Sequence, residues 1–314
     1  MKNNTALVST VKSVVQIVKN LDESRCIYEE GLGLKCIGEA DFSANELTAF
    51  FGVSEGDFRI ARFAREGEEF GCVDLVENPK AERPIRDKTR PFDYGIMTLN
   101  FRTNNIEKAV QILKKVGCEP VSEILEYNVG KPMRELMMNT PTGERLTILE
   151  VGGANDDLPV FNEAIATVGL VVPRMSEAKR FYEQGLGLQT AIAFQASGAP
   201  FDSLLGVRKL DKLDFATLTS DGNWTGKIEL LELETGETPV NTNQNCNFSH
   251  TGYSHFRFLT DDLEKTAESC CKVGAKANFL SVSSTGIFYD FSKTMLVCYG
   301  TEFIEITKRN QEKS

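Results

Sequence analysis

The chain has no apolar run near the roughly 18 residues that a membrane-spanning helix needs. Its most apolar early stretch, residues 8–18, is broken by Ser9, Thr10, Lys12, Ser13 and Gln16, so it reads as a strand and not as a leader. Histidine is scarce, with only His250 and His255, and Trp224 is the single tryptophan. Eight cysteines (Cys26, Cys36, Cys72, Cys118, Cys246, Cys270, Cys271, Cys298) form no Cys-x-x-Cys pair. They read as reduced thiols of a cytoplasmic protein. Cations are in deficit: 35 Lys and Arg stand against 45 Asp and Glu, a net charge of −10. That balance argues against a nucleic-acid partner, which needs clustered cations, and against a polybasic membrane attachment. The remaining composition, 41% apolar and 25% charged, is ordinary for a globular chain, and 314 residues suggest two domains.

The sequence repeats itself, which bears on every later inference about the fold. Tyr28-Glu29-Glu30-Gly31-Leu32-Gly33-Leu34 returns as Tyr182-Glu183-Gln184-Gly185-Leu186-Gly187-Leu188. Phe51-Gly52-Val53 matches Leu205-Gly206-Val207, and Val73-Asp74-Leu75-Val76-Glu77 matches Ile228-Glu229-Leu230-Leu231-Glu232. Further on, Phe101-Arg102-Thr103-Asn104-Asn105-Ile106-Glu107-Lys108 matches Phe258-Leu259-Thr260-Asp261-Asp262-Leu263-Glu264-Lys265. Residues 1–155 and 156–314 are therefore two copies of one design, joined by a polar linker at 152–162.

Each copy divides again. Every quarter opens on a strand, continues through an amphipathic helix ended by Gly, and closes on short alternating strands. The helices are predicted at 22–31, 106–116, 176–185 and 263–273, with Asn, Asp or Ser at their starts. Strands are predicted at 58–63, 71–76, 135–138, 145–150, 214–218, 227–233, 295–299 and 302–307. The fold class is α+β: four βαβββ modules in two tandem domains, each a curved mixed sheet with helices on its outer face.

This architecture, and the segment Val18-Lys19-Asn20-Leu21-Asp22-Glu23-Ser24…Tyr28-Glu29…Gly31-Leu32-Gly33-Leu34 with its second copy, resembles the vicinal oxygen chelate superfamily. That superfamily includes glyoxalase I, methylmalonyl-CoA epimerase, extradiol dioxygenases and drug-resistance proteins. The resemblance implies ligand positions on the first and last strand of each module. In residues 1–155 those positions hold Ser13, Thr98, Asp74 and Thr147, which implies a degenerate half. In residues 156–314 they hold Thr167, His255, Glu229 and Glu305. Glu229, His255 and Glu305 are then the implied metal ligands, for a divalent ion such as Zn, Ni, Co, Mn or Fe(II).

Arg257 follows His255 by two residues and so shares its strand face, where a guanidinium would clamp a carboxylate, phosphate or enolate. With Thr167 and Tyr253 it makes the expected substrate-binding set. Carboxylates at both last-strand positions, Glu229 and Glu305, resemble the glyoxalase and epimerase pattern more than the two-histidine dioxygenase set. The implied enzyme is a lyase or isomerase that removes a proton next to a carbonyl, with Glu305 and Glu229 as the catalytic carboxylates. An extradiol-type dioxygenase and a metal-free small-molecule-binding protein are the alternatives. The expected partner is a small-molecule substrate, and the resemblance allows a homodimer.

Overall fold

The computed structural model describes residues 6–43, 57–128, 130–246, 248–280 and 293–309. The repeat segment 51–53 and most of the loop 42–56 lie outside the described residues. The first module runs β1 (Val11–Val18), a helix Leu21–Cys26 extended by a π-helical turn Ile27–Gly31, β2 (Lys35–Ser43), β3 (Asp57–Ala64) and β4 (Cys72–Glu77). A short β5 (Arg83–Pro84) follows it. The second module holds β6 (Gly95–Thr103), a helix Ile106–Lys115, β7 (Glu119–Pro120), β8 (Leu125–Asn128), β9 (Pro132–Asn139) and β10 (Arg145–Val151). The third holds β11 (Thr167–Val171), a helix Met175–Lys179 extended by the π-helical turn Arg180–Gly185, β12 (Gln189–Ala196), a short helix Phe201–Leu205, β13 (Lys212–Thr219) and β14 (Lys227–Glu234). The fourth holds β15 (His250–Thr260), a helix Leu263–Lys272, β16 (Lys276–Leu280), β17 (Thr294–Tyr299) and β18 (Glu302–Lys308).

Helix starts follow the chemistry of unsatisfied N–H groups. The side chains of Asn20, Asn105 and Asp262 accept from the backbone N–H of Glu23, Lys108 and Lys265. The third module departs from the expected Ser176 cap. Its helix begins at Met175, whose N–H donates to Glu232 Oε2 on β14 at 2.6 Å. Glu77 and Glu150 do the same for Leu21 and Ile106, each at 2.9 Å. A carboxylate at the end of the module's last strand thus meets the positive end of its helix. This explains why Glu77 and Glu232 recur in the repeat.

Two mixed sheets result. One is ordered β16-β17-β18-β15-β1-β4-β3-β2, and the other β12-β13-β14-β11-β6-β10-β9-β7. The module pairing does not follow the halves of the chain. β1 pairs antiparallel with β15 (Val15 opposite His255), and β6 pairs antiparallel with β11 (Asn100 opposite Thr167). The first sheet therefore joins modules one and four, and the second joins modules two and three. Strand alternation sends Leu99, Phe101, Val168, Leu170, Ile228 and Leu230 to the helix side, where they merge with Val14, Phe256, Phe258 and Ile304 of the other sheet in one core.

Helices of different sheets meet in that core. A Cβ placed on Gly31 would lie 3.1 Å from Leu113 and Val116 of the second module, and one on Gly185 would lie 3.1 Å from Val273 of the fourth. The repeated Tyr-Glu-x-Gly-Leu-Gly-Leu segment is thus a packing device, with Tyr28 and Tyr182 wholly buried beside those glycines. Among the described residues no helix is long and apolar enough to cross a membrane. All eight cysteines are without disulfide partners.

Candidate functional site

Each sheet turns one face inward, away from the long helices, and each inner face carries four of the eight positions singled out above. In the first sheet these are Ser13, Asp74, His255 and Glu305. Arg62 on β3 and Arg257 on β15 stand among them, and none of the six is more than 4% exposed. Arg62 holds Asp74 through Nε–Oδ1 and Nη2–Oδ2 contacts of 2.6 and 2.9 Å. Arg257 bridges the carboxylates, donating from Nη1 to Asp74 Oδ2 at 3.0 Å and from Nη2 to Glu305 Oε2 at 2.9 Å. Its Nη1 also reaches Ser13 Oγ at 3.3 Å.

Glu305 accepts further bonds from Thr294 and Thr307 at 3.2 and 3.1 Å, and His255 Nε2 lies 3.4 Å from its Oε2. Burial alone would raise both carboxyls. The neighbouring guanidiniums outweigh it: Arg62 and Arg257 hold Asp74 below its usual range, and Arg257, with the hydrogen bond from His255, holds Glu305 far below. Among the described residues, two carboxylates are thus matched by two guanidiniums.

The second sheet replaces this arrangement position by position. Thr167, Glu229, Thr98 and Thr147 take the four places. Asn100 stands where the first sheet has Arg257, and Thr217, opposite Glu229, stands where it has Arg62. Glu229 has lost its guanidinium. Asn100 Nδ2 donates to Glu229 Oε2 at 3.0 Å across β11, over Gly169. A Cβ on Gly169 would lie 2.6 Å from Thr98 Cγ2 and 3.4 Å from Glu229 Oε1, so only glycine leaves room for the bond.

Glu135 on β9 faces the same space and accepts a 2.6 Å bond from the Tyr127 hydroxyl. Burial, then the charge of Glu135, pushes Glu229 up to about 8. Burial raises Glu135 as well, and pulls the nearby Lys227 amine down to about 8. Unlike the first-sheet cluster, Glu229, Glu135 and Tyr127 are only half-buried and open to solvent. Asn100 Oδ1 and Thr217 Oγ1 are buried and make no hydrogen bond. Thr98 and Thr147 bond each other at 2.9 Å.

Further along the same inner face the lining turns apolar. Val171, Leu231, Leu213 and Met137 are covered by the helix Phe201–Leu205. Phe194 stacks on Phe215 with centroids 4.5 Å apart, and Phe201 meets both Phe194 and Tyr127. Arg145 pins this cover through Leu205 O at 2.8 Å and Lys88 O at 3.0 Å. A separate small cleft where the sheets meet is lined by Ile85, Arg86, Ile96 and Tyr253. Arg86 directs its donors there to the backbone carbonyls of Ile96, Arg90, Pro91 and Gly95.

The expected ligand trio is therefore divided. His255 and Glu305 meet in the first sheet, and Glu229 lies in the second, because the sheets pair modules across the halves of the chain. Arg257 does clamp carboxylates, but they are the protein's own Asp74 and Glu305. Thr167 sits on the inner face of the second sheet, opposite Asn100. Tyr253 is buried at the junction between modules, its hydroxyl donating to Arg145 O at 3.2 Å. Arg62, Glu135 and Tyr127 were not anticipated. Arg62 had a signal, since it interrupts the apolar run Ala61-Arg62-Phe63-Ala64, whereas Glu135 and Tyr127 become recognisable only once β9 is placed across from β14.

The implied metal does not fit the donor sets present. Among the described residues no three His, Cys, Asp or Glu side chains close around a point. In the first sheet each carboxylate is already held by a guanidinium, and a divalent ion about 4 Å from Arg257 would meet a repulsion of about 8 kcal/mol at an effective dielectric of ~20. In the second, Glu229 is accompanied at the family positions only by threonines, which make poor ligands.

A family model described as the Glyoxalase/Bleomycin resistance protein/Dioxygenase superfamily matches residues 10–145 and 164–277. Glyoxalase I from Zea mays superposes with a TM-score of 0.66 at 17% identity, covering 95% of this chain and 92% of that one. A putative dioxygenase from Bacillus subtilis subsp. subtilis str. 168 superposes with a TM-score of 0.63 at 13% identity, covering 98% of this chain and 86% of that one. No curated protein matches the chain.

Proposed function

The chain belongs to the glyoxalase/bleomycin resistance protein/dioxygenase superfamily, and from that premise we propose that it is an enzyme of the lyase or isomerase type, with its reaction site on the inner face of the sheet built from modules two and three. The observation that carries this reading is Glu229, a half-buried carboxylate that among the described residues is held by the Asn100 amide and by no guanidinium, and that burial and the charge of Glu135 push up to about 8. A group that titrates close to working pH gives and takes protons with the least penalty in either direction.

Glu229 removes the proton from a carbon next to a substrate carbonyl. The C–H electron pair moves into the enolate, and the same carboxyl returns the proton to the neighbouring carbon on the face from which it was taken. No net oxidation occurs. Asn100 fixes the carboxylate through its amide. Thr167, on the same inner face, is the donor for the developing enolate oxygen. Glu135, held by Tyr127, keeps Glu229 protonatable. The aromatic wall of Phe194, Phe201 and Phe215 takes an apolar substrate body. This scheme uses the protein's own side chains throughout.

That aromatic wall also favours a second reading, a metal-free protein that binds an apolar small molecule. One experiment separates the two. Small ketones and 2-hydroxy or 2-oxo acids with aromatic or branched tails are incubated with the protein in D₂O, and C–H exchange is followed by NMR. We expect exchange with at least one member of the panel, slowed at least ~100-fold in Glu229→Gln. Binding without exchange for every compound supports the second reading. Equal exchange in Glu229→Gln sinks the role given to that carboxylate.

A further inference from the structure

We propose that Arg257 is a built-in cation that fills the place of a metal ion in the first sheet, and that Asp74, His255 and Glu305, which close around no common point while it stands between them, can do so only once it is removed. Three observations converge. The guanidinium lies within hydrogen-bond distance of both carboxylates, 3.0 Å from Asp74 Oδ2 and 2.9 Å from Glu305 Oε2. His255 Nε2 turns toward the same Glu305 oxygen at 3.4 Å, as an imidazole sharing a cation with that oxygen would. The whole cluster is buried, and Arg257 and Arg62 already hold its two described carboxylates, so an added divalent ion would sit beside a fixed guanidinium in a desolvated space.

The pseudo-equivalent face of the second sheet shows the alternative. There the Arg257 place is Asn100, and the carboxylate beneath it stays accessible. The guanidinium also ties Ser13 and Asp74 of module one to Glu305 of module four, strands that stand more than half the chain apart in sequence. The ligand class that the locked set would accept is a borderline divalent cation, Zn(II) or Co(II), through one imidazole nitrogen and carboxylate oxygens. This inference concerns a cluster separate from the Glu229 face and stands whether or not that face is catalytic.

The test is Co(II) titration followed by visible absorbance, with Zn content measured by elemental analysis, on the full chain. The wild type and Arg257→Lys, which keep the cation, are expected to take up no stoichiometric metal. Arg257→Ala is expected to bind one equivalent at least about 100-fold more tightly than the wild type, with ligand-field bands that vanish in Arg257→Ala/His255→Ala. Because Arg257→Ala strands two buried carboxylates beside a single guanidinium, it is purified with and without Zn(II), and Arg257→Gln is prepared as the milder variant. Recovery of a cooperative melt only when Zn(II) is added supports the proposal. One equivalent of metal in the wild type that is lost in His255→Ala overturns it. So does a folded Arg257→Ala or Arg257→Gln that gains no metal affinity, and so does failure of Zn(II) to rescue either variant.

Discussion

Glu302 is a buried carboxyl with no place in the mechanism above. It sits at the start of β18, 5% exposed, near the Tyr182 hydroxyl, which is itself buried and makes no hydrogen bond. Burial is the main cause that raises its pKa to about 8. A carboxyl raised on folding binds more protons in the native than in the unfolded state between its two pKa values. Native stability is therefore lost as pH climbs from about 4.5 toward 8. Glu302→Gln removes that loss. Urea melts at pH 5 and pH 8 should show the variant gaining on the wild type by on the order of 2–4 kcal/mol across the interval. A gap that is constant with pH would mean that Glu302 is ionised throughout. Asp74 and Glu305 have the opposite sign. Their folded pKa values are depressed, so the stability they contribute is present at neutral pH and goes only as acid protonates them. At this scale the strand positions of Glu229, His255 and Glu305 were legible, as the places that the family resemblance implies. What they face was not, because the arginines that hold Asp74 and Glu305, and the Asn100 and Thr217 that stand in their places beside Glu229, come from other strands.

Elements meet most closely where a helix of one sheet crosses a helix of the other. Gly31 lies against Leu113 and Val116, and Gly185 against Val273 and the Phe181 ring. Neither contact has an open direction for a methyl group. Gly31→Ala and Gly185→Ala should each cost about 1–3 kcal/mol through overpacking, even though alanine favours the helix. Thermal melts would read this directly, and a rise in melting temperature for either variant would contradict the packing role. The helices themselves were visible in the sequence to within a residue or two, because their periodicity and caps are local. The third lacks the side-chain cap that the others have, since Arg174 supplies none. Its N-terminus is held by Glu232, a residue 57 positions away, which no cap motif around residue 176 reveals.

At the scale of the whole molecule, the repeat identified four modules, and the expectation of one sheet per tandem domain met strands that pair module one with four and module two with three. Both pairings give the same strand count and the same alternation, so no residue pattern distinguishes them. The observed pairing makes each half of the chain incomplete: β1 has its partner in β15, and β11 has its partner in β6. Residues 1–155 and 156–314 expressed separately should therefore lack a cooperative melt and recover one on mixing, as followed by circular dichroism. Independent folding of either half would show that the cross-half strand pairs are dispensable. The same nesting sets an order of events as the chain is made. The second sheet lies entirely between β6 and β14 and has all its strands once residue 234 is out. The first sheet encloses it like an outer bracket: β1 leaves the ribosome early and its β15 partner follows about 240 residues later, some 12–50 s at the usual ~5–20 residues per second. For that interval β1 has one bare hydrogen-bonding edge, so the period of greatest exposure to aggregation during synthesis belongs to the buried ion-pair sheet and not to the sheet that carries Glu229.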